Sequence, residues 1–341
     1  MRQKTTKRYL SQAILAVAAW LCPFLALAQG WPANYGGVML QGFYWDSYTD
    51  TKWTNLTSQA DELSKYFDII WVPNSGTPGG GASEKSMGYS PCFWLTHNSC
   101  FGTETELKTM ISTFKAKGTT IMMDLVVNHK SGQYNWCDFP TENKNGYYIK
   151  WNNAKMAEIC NTDECNRNGY KTSGAADTGE DFDGSRDLDH TSSTTQNNIK
   201  TYMDFLVKEI GYGGFRFDMV KGYSASYAGT YARHAAQKFN VGEYWDGDYN
   251  KVVNWINGTG KSCAAFDYPL KYRINTAYET GNWSALSDKG IAGDPNMSQW
   301  AVTFVDNHDT FQTGNSSRLN NQSNWLAANS LILGTPGTPC I

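Results

Sequence analysis

Charge is scarce in this sequence. Lys, Arg, Asp and Glu make up 18% of its 341 residues, against roughly a quarter in ordinary soluble domains. Basic residues do not outnumber acidic ones, at 29 against 32. A phosphate backbone needs a basic face, so a nucleic-acid partner is disfavoured. No C-x2-C pair occurs, which removes the commonest spacing for zinc. Beyond the first 28 residues, no apolar run is long enough to span a bilayer. Disorder is disfavoured too, because 40% of residues are hydrophobic. What abounds is aromatic surface, with 13 Trp, 20 Tyr and 15 Phe. Few charges and many flat faces suit a neutral polar ligand such as a sugar, although most aromatics serve cores.

The first residues read as a leader, not as fold. Arg2, Lys4, Lys7 and Arg8 precede an apolar run from Ala13 to Leu27, and Ala26-Leu27-Ala28 gives an A-x-A-like cleavage site. The expectation is a signal peptide over 1–28 and a secreted or periplasmic protein with no membrane attachment after cleavage. Its removal takes four positive charges and no acids, which moves the net charge from −3 to −7. Seven cysteines remain, and an exported chain can keep disulfides. Cys92 and Cys100 bracket an aromatic loop, Cys137, Cys160 and Cys165 cluster in another, and Cys263 and Cys340 sit in apolar runs as expected core thiols. Connectivity does not follow from spacing.

Short apolar runs alternate with amphipathic stretches. The runs are 37–45, 68–73, 119–128, 214–220, 240–245, 262–268, 300–306 and a final 338–341. Near-continuous apolarity predicts parallel strands buried on both faces. Between them, Thr103 and Glu106 form a capping box ahead of the stripe Leu107, Met110, Ile111, Phe114. Ile199, Met203, Leu206 and Ile210 make a second stripe, and Leu56, Ala60, Leu63 and Phe67 a third. Eight strands alternating with helices predict an α/β fold, a (β/α)8 TIM barrel. A doubly wound sheet is the alternative, with fewer strands. The stretch from Lys130 to Arg186 has no clean period and is too long for a structureless loop. It is read as a small domain, 130–186, inserted after the third strand into a barrel of 29–129 and 187–341. Such insertions sit at the face where barrel active sites lie.

Three carboxylates fall at strand ends: Asp218 after the fourth, Glu243 after the fifth and Asp309 after the seventh. Over one barrel mouth they suit cleavage of a glycosidic bond, which needs a nucleophilic carboxylate and a proton-donating carboxylic acid. Solvated loop acids are the plain alternative.

At these residues the chain resembles the alpha-amylase family of retaining glycoside hydrolases. Asp124-Leu125-Val126-Val127-Asn128-His129, Gly214 to Lys221, Glu243-Tyr244-Trp245-Asp246 and Phe304 to Asp309 are similar to its four signature motifs, in order. Asp187-Leu188-Asp189 resembles a further family segment, and 176–182 with Gly222-Tyr223-Ser224 look most like the plant-type branch. The resemblance implies Asp218 as nucleophile, Glu243 as acid then base, and Asp309 as a holder of sugar hydroxyls. It implies substrate contacts from Tyr89, His129, Arg216, Lys221, Trp245 and His308. Arg216, two residues before Asp218, points to the same side, where its charge is expected to lower the Asp218 pKa. A calcium ion is implied on Asn128, Asp177, Asp187 and the carbonyl of Gly222, all oxygen donors of the kind Ca2+ takes. Asp181 and Asp183 are weaker candidates for a second ion.

The expected activity is endo-hydrolysis of alpha-1,4-glucosidic bonds in starch or related glucans by a monomer. A transglycosylase or oligosaccharide hydrolase of the same fold, and a non-catalytic glucan binder, are the rivals. The sequence stops at Gly337-Thr338-Pro339-Cys340-Ile341. The eighth strand is therefore expected to be incomplete, in a piece of a longer chain, with Pro339 unable to donate to its ladder.

Overall fold

The computed structural model describes residues 30–312 and 318–341. The leader read over 1–28 lies outside them. Eight parallel strands form one sheet: β1 (Met39–Gln41), β2 (Ile69–Val72), β3 (Thr120–Leu125), β8 (Gly214–Phe217), β9 (Phe239–Gly242), β10 (Ala264–Phe266), β11 (Ala301–Thr303) and β12 (Thr338–Pro339). Seven fall inside the apolar runs and β9 starts one residue before its run, and β2, β8, β9, β10 and β11 are buried at every position. The short β12 joins both neighbours. Thr338 and Pro339 pair with Val302 and Thr303, and Cys340 bridges to Met39. Pro339 has no donor, so the ladder is carried by Cys340 N to Thr303 O at 2.7 Å and Ile341 N to Met39 O at 2.9 Å. Gln41 N returns a bond to Ile341 O at 2.8 Å. At this seam, Trp31 Nε1 donates to Thr338 Oγ1 at 2.7 Å.

The helices follow the stripes with one difference. The capping box of Thr103 and Glu106 starts Glu104–Ala116, which buries Leu107, Met110, Ile111 and Phe114. The second stripe lies on Ser193–Phe205 and its wider continuation Leu206–Ile210. The third stripe is broken at Gln59 into Trp53–Ser58 and Ala60–Leu63, so Leu56 and Ala60 are buried while Leu63 and Phe67 are only partly so. No helix among the described residues is long and apolar enough to cross a membrane.

Between β3 and β8 the chain leaves the barrel and returns through a two-stranded antiparallel neck, β4 (His129–Lys130) against β7 (Arg186–Asp187). Beyond the neck lies a hairpin, β5 (Glu142–Lys144) and β6 (Tyr147–Ile149). Its two-residue turn, Asn145-Gly146, has φ of 50° and 85°, as a primed turn requires. Lys130 enters buried, its Nζ donating to Cys92 O and lying 4.8 Å from the Trp94 ring.

Candidate active site

The barrel interior ends upward in an aromatic floor. Trp71, Phe266 and Phe304 pack edge to face or tilted, with centroids 5.5 and 5.4 Å apart along the chain of contacts. On it lies Arg216, fully buried, with its guanidinium 5.0 Å from the Trp71 ring. Asp124 and Arg216 are register partners on β3 and β8, so their side chains stand side by side. Arg216 Nη1 lies 2.7 Å from Asp124 Oδ1 and 2.5 Å from Asp218 Oδ1, and Nη2 lies 2.8 Å from Glu243 Oε1. One cation thus grips three carboxylates from three strands.

The turn after Asp218 places the remaining donor. Met219 adopts φ 43° and ψ 51°, the left-handed region that an L residue enters only under constraint. Its N–H then points at Glu243 Oε2, 3.0 Å away. Tyr268 donates its hydroxyl to Glu243 Oε1 at 3.4 Å.

Burial is the largest influence on all four acids. It pushes Asp124 up to about 6, Asp218 and Asp309 up to about 7, and Glu243 upward. Arg216 pulls each back, and the carboxylates repel one another. The sequence expectation that Arg216 lowers the Asp218 pKa is therefore corrected in its net direction. One fixed positive charge is shared among three acids, and burial of the acids outweighs it. Groups that interact this closely titrate together, and the chemistry needs an ionised nucleophile beside a protonated general acid.

A cavity of about 480 Å³ opens above these groups, lined by Trp45, Tyr89, His129, Glu180, Phe182, Asp218, Met219, Lys221, Glu243, Trp245 and Asp309. Tyr89 donates to Asp124 Oδ2 at 2.7 Å and meets His308 Nε2 at 2.7 Å. Trp45, past the end of β1, stacks over both rings at 5.7 and 5.9 Å. His308 is buried behind this layer, with Gln41 on its Nδ1 at 2.8 Å and Asp309 3.2 Å from its Nε2. His129 faces the cavity, but its nitrogens are used by the Tyr89 carbonyl at 2.8 Å and by Asn128 Nδ2 at 3.2 Å. Its ring stacks on Phe182 at 4.3 Å. Lys221 pairs with Glu180 at 2.8 Å, and Trp245 donates to Tyr272 Oη at 2.7 Å. Asp124, Trp45, Glu180, Phe182 and Met219 are thus additions to the residues singled out from sequence. None of them was given a role there, although Asp124 opens the first family-like motif, Met219 lies in the second, Glu180 and Phe182 lie in 176–182, and Trp45 ends the first apolar run.

A second acidic group lies beside the neck. Oxygens of Asp177, Asp181 and Asp187 all lie within 4.8 Å of one another. Asn128 Nδ2 donates to Asp187 Oδ1 at 3.2 Å, and Asn128 Oδ1 is a buried atom with no hydrogen-bond partner among the described residues; Asp177 Oδ2 is another. Gly222 presses on that amide, and a Cβ there would fall 2.1 Å from Asn128 Oδ1. The four residues expected at a cation site therefore converge. Asp181 joins them, whereas Asp183 pairs with exposed Arg167 at 2.8 Å. Orphaned buried oxygens and an all-oxygen donor set fit a hard divalent cation.

A family profile described as "Alpha amylase, catalytic domain" matches residues 78–341. The chain belongs to the alpha-amylase catalytic-domain family. It is 29% identical to "Alpha-amylase 3, chloroplastic" of Arabidopsis thaliana, over 99% of this chain and 39% of that protein. It is 29% identical to "Probable alpha-amylase 2" of the same plant, over 89% of this chain and 74% of the relative. An "Alpha-amylase" of Bacillus licheniformis is 26% identical over 92% and 71%. The chain therefore spans about two fifths of the first of these relatives and about three quarters of the other two. Among solved structures, an alpha-amylase from Malbranchea cinnamomea superposes with a TM-score of 0.60 at 18% identity, covering 89% of this chain and 67% of that one. One from Geobacillus thermoleovorans, complexed with acarbose, gives 0.62 at 18%, covering 89% and 69%. These two superpositions bear on the barrel fold alone. For this family member, Arg216→Leu is expected to strand three buried carboxylates. The loss in kcat/KM should be about 10²-fold or more, with the acid limb of the pH profile moved to higher pH because the counter-charge is gone. An unshifted limb would show that Arg216 does not set these pKa values.

Proposed function

We propose that this chain hydrolyses internal alpha-1,4-glucosidic bonds of starch and related glucans with retention of configuration. The observation that carries the reading is the single guanidinium holding Asp218 and Glu243 beneath one cavity with Asp309. Asp218 attacks the anomeric carbon and forms the covalent glycosyl-enzyme. Glu243 protonates the departing oxygen, then takes a proton from the water that releases the sugar. Asp309 holds hydroxyls of the distorted ring. The stack of Trp45 and Tyr89 and the exposed face of Trp245 offer flat surfaces to glucose rings. A non-catalytic glucan binder has no use for buried acids with raised pKa values, which cost stability.

Calcium is the proposed cation for Asn128, Asp177, Asp181, Asp187 and the Gly222 backbone. When bound, it offsets the repulsion among the carboxylates and ties the inserted segment 130–186 to the barrel. The loop from Asp177 to Phe182 also supplies Glu180 and Phe182 to the cavity wall, so order at the cation cluster reaches the substrate. The proposed setting is outside the cytoplasm, supported by the basic and apolar leader pattern, and the working form is a monomer, since one chain supplies the whole cavity.

Proton NMR of soluble-starch digestion tests the reaction. The alpha anomer of maltooligosaccharides should appear first, because two displacements retain configuration. Early beta anomer would overturn the retaining reading, and transfer products or an inert long glucan would select the transglycosylase or the oligosaccharide hydrolase.

A further inference from the structure

Away from the catalytic cavity, two thiols meet inside the inserted segment. Cys137 and Cys165 are buried, at 4% and 0% exposure, and their side chains interact with each other. The chain around both is anchored to common groups. Trp136, just before Cys137, carries the Arg186 guanidinium 4.3 Å from its ring. The same guanidinium pairs with Glu164 and lies 3.5 Å from Asp163, the two residues before Cys165. Trp136 also stacks on Tyr170 at 6.2 Å, and Tyr170 N donates to Cys165 O at 3.2 Å. The remaining cysteine of the segment, Cys160, donates its backbone N–H to Asp187 O at 2.9 Å.

We propose that Cys137 and Cys165 form a disulfide bond that staples the inserted segment. Two S–H bonds break and one S–S bond forms. The two electrons pass to a small disulfide oxidant through a mixed disulfide, and the two protons end on the two thiols into which that oxidant is cleaved. Both sulfurs are buried, so exchange takes place while the segment folds or opens. An extracytoplasmic setting supplies the oxidant, the one point at which the inference rests on the proposed location.

The staple acts on the cation cluster through Asp163. Its Oδ1 accepts from Cys165 N at 2.8 Å, capping the short helix Glu164–Asn168, and its Oδ2 accepts from Asp187 N at 2.7 Å. Closing the cross-link therefore fixes the carboxylate that positions the Asp187 backbone, one residue from Arg186 in the neck.

The test is a peptide map of the whole purified chain after oxidised glutathione and after dithiothreitol, with free thiols alkylated. Oxidation should yield one peptide pair joining Cys137 to Cys165, 2 Da lighter than the two thiols, with Tm higher by about 5 °C. C160S should keep both effects and C137S should lose both. If C137S does not fold, the map of the unsubstituted chain still decides. Both cysteines alkylated after oxidation, or either one joined to a different cysteine, would overturn the proposal whatever the activity on starch.

Discussion

Asp218→Asn and Glu243→Gln are each expected to lower turnover of starch by about 10²–10⁴-fold or more, and Asp218→Asn should at the same time raise the melting temperature at pH 7. Both effects come from one arrangement. Burial pushes Asp218 up to about 7 in the native state, against about 4 for an ordinary Asp. The folded chain thus holds that proton more tightly than the unfolded chain does. The contribution of Asp218 to stability therefore falls as pH rises from about 4 to about 7 and is level above. An amide cannot ionise, so the advantage of Asp218→Asn should be absent near pH 4 and full above pH 7. Arg216 keeps two carboxylate partners in that variant, Asp124 and Glu243. Thermal scans at pH 4.5 and 7.5 measure the gap. A variant less stable than the parent at pH 7.5 would show that the Arg216–Asp218 pair stabilises the fold, and retained turnover would remove Asp218 from the chemistry. The site trades stability for reactivity, as catalytic clusters commonly do.

Removing calcium is expected to lower thermal stability and activity together. An ion bound to the native state alone stabilises it by mass action, about 2.7 kcal/mol at a hundredfold excess over Kd. The activity loss follows from the loop 177–182, which ends at Phe182 against His129 and donates Phe182 N to Asp187 Oδ2 at 2.9 Å. Asp187→Ala should mimic chelation, but it also removes that hydrogen bond. Asp181→Asn is the cleaner probe, because Asp181 is exposed and adds a cluster charge. It should weaken calcium binding about tenfold while leaving the metal-free melting temperature unchanged. Chelator-insensitive melting, with no metal by elemental analysis, would exclude the site.

Much of this molecule is determined by local sequence. Runs of Val, Ile, Met and Phe of strand length, separated by stripes such as Leu107, Met110, Ile111 and Phe114, specify alternating strands and helices because each must bury a face of the right period. The positions of Asp218, Glu243 and Asp309 follow from where those runs end. The meeting of Asn128 with Asp187, 59 residues apart, instead needs the pairing of His129–Lys130 with Arg186–Asp187.

What tertiary structure alone decided is what crosses between strands. Asp124 becomes a partner of Arg216 through the β3–β8 register, a pairing 92 residues apart that no local pattern encodes. Trp45, Glu180 and Phe182 reach the cavity from loops whose paths depend on packing. The net direction of the Asp218 shift also depended on it. Sequence shows that an arginine stands two residues away, but the balance rests on how many acids share that arginine and how completely they are withdrawn from water.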